Sequence, residues 1–274
     1  MRFAKWHGAG NDFLLFLPED GPELEKNLPR WAPRLCHRQM GIGADGVLLL
    51  VPEGQATVRL LYFNRDGSRA AFCANGSRCA AAFAFRRLGL AAMVLHTDFA
   101  PIPAEVGQNR VTLQLPAPQP VVGWLELPVG QKTLRGFFLQ VGVPHLVVPV
   151  SWQDFWSCPL EEAPALRAHP LLGPEGANVH FAQVVGRELA LRSFERGVEA
   201  ETLACGSGAV AAACVALAEG WLSPPVAVRT ASGRVLEVEP LARDPWGPLR
   251  LSGPAEPVAE GEVAPELLET EEQS

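Results

Sequence analysis

Lysine is scarce in this chain. Lys5, Lys26 and Lys132 are the whole supply among 274 residues. Pyridoxal enzymes need a Schiff-base lysine, and of the three only Lys5 lies in a stretch with motif character. There is no Cys-x-x-Cys. Cys73 and Cys79 are six apart, and Cys205 and Cys214 are nine apart, spacings that make no zinc site. Six cysteines in a chain this long are no disulfide framework either. No metal is expected, and reduced thiols imply a cytoplasmic location. Gly-x-Gly-x-x-Gly and Walker spacings are missing, which weakens any nucleotide reading. No uncharged apolar run reaches membrane-spanning length. Lys5, His7, Asn11 and Asp12 interrupt the beginning of the chain, so no signal peptide is expected. An excess of positive charge is lacking too. The net charge is −7, residues 256–274 hold seven Glu and no Lys, Arg or Asp, and the rest balances to zero. That leaves no electrostatic footprint for nucleic acid.

What is present is a hydrophobic content of 48% and two closely similar stretches. Phe72–Phe83 reads FCANGSRCAAAF, and Leu203–Cys214 reads LACGSGAVAAAC. Each runs from cysteine through a Gly/Ser turn into alanine. Ala is the best helix former and Gly nearly the worst, so each switch marks a helix N-terminus. The first helix should end at Gly89 and the second at Gly220. Both are apolar nearly all round and should be buried. A thiol at such a start lies beside unpaired N–H groups and the positive end of the macrodipole, which favours thiolate. The alternative for either cysteine is a buried structural thiol in a small-residue turn.

The flanks repeat as well. Thr57–Asn64 and a turn at Asp66-Gly67-Ser68 precede the first cysteine; Leu189–Phe194 and Glu195-Arg196-Gly197 precede the second. After each helix come a strand, a turn and another strand: Met93–Thr97 and Arg110–Leu115, then Val226–Thr230 and Val235–Val238. An internal duplication into two α/β halves is expected. Residues 1–117 carry Cys73 and residues 118–262 carry Cys205, with the proline-rich Pro116–Pro120 as linker and 263–274 as a solvated acidic tail. Cys79 and Cys214 fall inside the helices as core residues, while Cys36 and Cys158 have no motif around them.

Two more stretches are over-specified for packing: His7-Gly-Ala-Gly-Asn-Asp-Phe13 and Gly41-Ile-Gly-Ala-Asp-Gly-Val47. Their plainer reading is a pair of glycine turns capped by Asn11 and Asp45. A third is Gly142-Val-Pro-His145 at the end of an apolar strand. A hydrolase needs one thiolate with a histidine as its base. Two activated thiols suit a reaction on both faces of one carbon, in which one removes a proton and the other returns one to the opposite face. Helix N-termini can hold the substrate carboxylate and the charge that spreads onto it.

These residues, with FAKWHGAGNDF, GIGADGVLLL, YFNRDGSRAAFCANGSRC, GVPHLVV, GANVHF and FERGVEAETLACGSGA in that order, resemble the diaminopimelate epimerases. These are cofactor-independent enzymes that interconvert LL- and meso-diaminopimelate for lysine and cell-wall precursor synthesis. The resemblance covers nearly the whole chain. It implies an α/β fold of two pseudo-symmetric halves, each a mixed, mostly antiparallel sheet wrapped around a central helix. It implies that Cys73 and Cys205 are the acid–base pair, and that backbone N–H groups at Ala74-Asn75 and Gly206-Ser207 bind the reacting carboxylate. Asn11 would line the same centre. Asn64, Asn178, Glu195 and Arg196 would hold the distal amino acid end, and His145 and Glu195 would tune the thiols. No cofactor is implied, and the partner is a small molecule; a homodimer is compatible with the fold, and the oligomeric state stays open. Three positions depart from the family pattern. Ala74 replaces the first Gly of Cys-Gly-Asn-Gly, Val143 replaces the Asn of Gly-Asn-Pro-His, and His180 stands where Asn or an apolar residue is usual. The alternatives are a proline, hydroxyproline or phenazine-type relative of the same fold, an amino-acid-binding protein without catalysis, and a thiol hydrolase.

Overall fold

A computed structural model describes residues 1–269. The fold is mixed α/β, with parallel and antiparallel ladders and five α-helices among the described residues. The chain forms two compact units. One is Met1–Leu113 joined by the chain from Ala255 onward, and the other is Gln114–Pro254.

In the first unit β1 (Arg2–Gly8) and β2 (Asn11–Phe16) form a hairpin. Its two-residue turn, Ala9-Gly10, is left-handed throughout, with φ of 56° and 94°. Such turns match the natural strand twist. After α1 (Leu24–Leu35) come β3 (Gly46–Pro52), β4 (Thr57–Asn64) and the short β5 (Arg69–Ala70). Next are α2 (Ala74–Leu88), β6 (Ala92–His96), β7 (Pro101–Val106) and β8 (Val111–Leu115). β2–β3 and β4–β6 are parallel, while β3–β4, β4–β5, β6–β7 and β7–β8 are antiparallel. β3 is a continuous buried run over Val47–Leu50, as a strand covered on both faces should be. α2 packs against β1, β2, β3 and β7. It ends at Gly89 in the left-handed conformation, as expected from sequence.

β7 lies where a turn between Met93–Thr97 and Arg110–Leu115 was expected, and it contains Pro101 and Pro103. The register explains their tolerance. β7 pairs with β6 through both prolines, but its ladder with β8 starts only at Ala104. The prolines therefore lie where one side of the strand needs no donor.

The second unit opens with the hairpin of β9 (Val121–Val129) and β10 (Lys132–Val141), then β11 (Val143–Pro149) and the short α3 (Ala163–Arg167). β12 (Asn178–Val185), β13 (Glu188–Glu195) and β14 (Ala200–Thr202) lead to α4 (Gly206–Ala218). β15 (Val226–Thr230), β16 (Val235–Pro240) and β17 (Leu249–Gly253) complete it. β11–β12 and β13–β15 are parallel, and β10–β11, β12–β13, β13–β14, β15–β16 and β16–β17 are antiparallel. The ladder senses of the first unit recur here in the same chain order. α4 has no solvent face from Gly208 to Ala216 and packs against β10, β11, β12, β15 and β16. Its alanines let the strands approach closely, at no cost in helix propensity.

Two expectations need correction. The halves are not contiguous: β18 (Glu256–Glu262) pairs antiparallel with β1, so this part of 118–262 belongs with the first unit. A polar, exposed strand completes the ladder of β1 through backbone bonds, which leave little trace in side-chain pattern. Nor is 263–274 wholly a solvated tail. Val263 is buried in the cluster formed by α1, β2 and β3, and Leu267 and Leu268 of α5 (Pro265–Leu268) pack on it. Residues 270–274 of the expected tail lie outside the described residues.

Candidate active site

In the first unit Cys73 is the N-cap of α2, and its sulfur accepts a hydrogen bond from the Gly76 N–H at 3.5 Å. The thiol takes the place that Ser or Asp usually fills. It also donates to Asn11 Oδ1 at 3.7 Å, and Asn75 Nδ2 donates to the same oxygen at 3.3 Å. The Asn11 amide is fixed from its other end, where Nδ2 donates to Asp45 at 2.7 Å. Arg38 bridges Asp12 at 2.9 Å and Asp45 at 2.7 Å, and Lys5 reaches Asp12 at 3.1 Å. The two glycine-rich stretches thus lock each other and aim Asn11 at the thiol. Gly8 makes the approach feasible, since a Cβ there would meet the Asn75 carbonyl oxygen at 2.8 Å. Cys73 lines a small recess together with Leu48, Leu60, Phe72, Ser77 and Thr97.

Sequence reasoning gave no role to Arg78, one turn into α2. It is wholly buried and donates to Asn75 Oδ1 at 2.7 Å, so it holds the amide whose other end meets Asn11. Burial lowers its pKa to about 10. Charge on an otherwise small and apolar helix was the available signal. The Asn64 amide turns instead to Ser68 Oγ, to which it donates at 3.0 Å within the turn that follows β4.

In the second unit Cys205 is the N-cap of α4, with Ser207 Oγ 3.6 Å from its sulfur. The thiol is held protonated. Burial raises its pKa well above the ordinary range, and the negative charge of Glu195, which also accepts a hydrogen bond from it, raises it further. Desolvation and a carboxylate here act against the helix N-terminus. Glu195 ends β13 and is fixed by the Thr202 hydroxyl. Asn178 begins β12, beside His145 in the β11–β12 register, and its Oδ1 accepts the Arg196 N–H at 2.8 Å. The Arg196 guanidinium pairs with Glu175 at 2.6 Å.

His145 lies behind Cys205 in a buried chain. Its Nδ1 is 2.8 Å from His180 Nε2, and His180 Nδ1 is 2.9 Å from Ser193 Oγ. Desolvation lowers both imidazoles, His145 to about 3, so both are neutral near pH 7. His180 sits on the first turn of α4, where a Cβ on Gly208 would come within 2.6–2.7 Å of both ring nitrogens. The Gly after Cys-Gly-Ser is thus the companion of an unusual histidine 28 positions earlier. Cys36, Cys79 and Cys214 behave as core groups: burial pushes Cys36 and Cys214 up to about 12 and Cys79 higher.

A profile of the family described as "Diaminopimelate epimerase" matches residues 3–106 and 137–243. A diaminopimelate epimerase of Methanothrix thermoacetophila is 38% identical, covering 98% of each chain. That of Aquifex aeolicus is 36% identical, over 98% of this chain and all of its own. Among solved structures, a phenazine biosynthesis protein of Bacillus anthracis has a TM-score of 0.70 at 17% identity, covering 96% of this chain and 99% of its own. A hydroxyproline epimerase of Agrobacterium vitis, solved with bound trans-4-hydroxy-L-proline, also scores 0.70, at 15% identity, covering 97% of this chain and 92% of its own. These structures share the fold. By its match to the family profile and to these full-length relatives, the chain belongs to the diaminopimelate epimerase family.

Proposed function

We propose that this chain interconverts LL- and meso-diaminopimelate by proton transfer at the α-carbon, with Cys73 and Cys205 as the paired acid and base. Family membership makes it an isomerase. The observation that carries the mechanism is that each unit places one cysteine as N-cap of its buried helix. The recurring ladder senses support two pseudo-symmetric halves, each wrapped around that helix. One thiolate removes the α-proton; the other cysteine, as thiol, delivers a proton to the opposite face. Cys205, held protonated beside Glu195, enters as the acid, and the roles reverse for the opposite stereoisomer. N–H groups of Ala74-Asn75 and Gly206-Ser207 receive the substrate carboxylate and the charge that develops on it. Asn11 orients the Cys73 thiol. Asn64, Asn178 and Arg196 take the distal amino acid end, where a carboxylate would replace Glu175 on Arg196. Glu195 and the neutral His145 set the proton affinity of Cys205. All proton traffic runs through side chains of the chain itself, which requires reduced thiols, as in the cytoplasm.

The test is incubation with LL-diaminopimelate in D2O. Label enters the inverted product at the α-carbon, and Cys73→Ala or Cys205→Ala lowers turnover by orders of magnitude. Wild-type activity in either variant refutes the pairing.

A further inference from the structure

The tertiary structure gathers three soft or borderline metal ligands, of which His180 departs from the family pattern. The donor atoms of Cys205, His145 and His180 lie within 4.8 Å of one another, all buried. They come from α4, β11 and β12, and no spacing in the sequence announces them. A tetrahedral zinc ion needs its nitrogen and sulfur ligands about 3.3–3.6 Å apart, given Zn–N and Zn–S bonds of about 2.0 and 2.3 Å. The cluster is thus roughly 1 Å from coordinating geometry on that standard.

Two observations point to a ligand. His145 Nε2 is buried and has no hydrogen-bond partner, although buried polar atoms are nearly always paired. His180 has Ser193 Oγ at 2.9 Å on Nδ1, the outer partner that orients a metal-ligating imidazole and fixes its tautomer.

We propose that Cys205, His145 and His180 form a three-residue site for a thiophilic divalent cation of the Zn²⁺ class, and that its occupation switches off a reaction that needs Cys205. The cation displaces one proton, that of the thiol, which leaves to solvent. Both imidazoles remain neutral. His180 turns Nε2 to the cation while Nδ1–H donates to Ser193. The hydrogen bond between His145 and His180 gives way, and His145 ligates through Nε2. Only the inhibition clause rests on the proposed epimerase mechanism; binding does not.

The experiment uses reduced, metal-free full-length protein titrated with Cd²⁺, read by cadmium–thiolate charge-transfer absorption. One equivalent should bind and protect Cys205 from alkylation, and a chelator should reverse both. Cys73→Ser should bind with unchanged affinity. Cys205→Ser should lose the band. Folded His180→Asn should bind at least ~10-fold more weakly. Loss of binding in Cys73→Ser would overturn the site, as would wild-type binding by folded His180→Asn or a band that survives Cys205→Ser. If His180→Asn fails to fold, the two cysteine variants still decide. Binding of Cd²⁺ without loss of epimerase activity would overturn the switch and leave the site.

Discussion

Gly76 and Gly208 occupy the same position, the third residue of α2 and of α4, yet alanine should affect them in opposite ways. In an exposed helix interior, Gly→Ala is worth about 1 kcal/mol in favour of alanine. At Gly76 the new methyl would meet Phe13 and Leu48 atoms at 3.4–3.5 Å, ordinary contact, so Gly76→Ala should be neutral or mildly stabilising. At Gly208 the methyl would come within 2.6–2.7 Å of both His180 ring nitrogens. That ring is fully buried and held at 2.8 Å by His145 and 2.9 Å by Ser193. If it tilts and keeps its bonds, overpacking costs about 1–3 kcal/mol. If it is expelled, each buried partner left unpaired costs about 1–3 kcal/mol more. After the helix gain, Gly208→Ala should destabilise by up to roughly 2 kcal/mol if the ring tilts and by roughly 2–8 kcal/mol if it is expelled. Urea denaturation of the two variants gives the comparison, with m checked for constancy. The cause is isolated by a double-mutant cycle with His180→Ala, in which the second change should recover much of the Gly208→Ala cost. Equal stability of Gly208→Ala and Gly76→Ala, or additivity with His180→Ala, would refute the reasoning.

Three further outcomes are expected. Glu195→Gln should lower the pKa of Cys205, because it removes a negative charge that raises it; the pH profile of Cys205 alkylation should move to lower pH, and a shift upward would contradict the assigned cause. His145 and His180 have folded pKa values below the unfolded one, His145 near 3, so they contribute stability that is present above the unfolded value of about 6.5 and lost as pH falls toward the folded values. Tm should fall through that acid window, and His180→Asn should flatten the fall; an unchanged slope would mean the imidazoles are not neutral when folded. Val143 cannot offer the side-chain amide of the usual Gly-Asn-Pro-His, so Val143→Asn should lower KM for diaminopimelate by what one neutral hydrogen bond is worth, about 0.5–1.5 kcal/mol. A variant that prefers a monoamino acid would count against the distal-end assignments.

The sequence by itself determined the two helix starts, their glycine stops and the repeated order of elements, because capping and propensity act within a few residues. It also sorted the thiols: Cys73 and Cys205 stand before Gly/Ser turns, while Cys79 and Cys214 lie inside alanine helices. Long-range pairing was not legible. β18 is polar and exposed, and its place beside β1 rests on backbone bonds that any side chains would allow. β7 lies where a turn was expected, and the tolerance of its prolines depends on where the β8 ladder begins. The protonation of Cys205 could not be read locally either. Its chain neighbours argue for thiolate, while burial and the charge of Glu195, ten residues away, favour the thiol. The same holds for the Cys205–His145–His180 cluster. Helix and strand periodicity place each residue on its own element, but a ligand set across three elements exists only once their packing brings the donor atoms together.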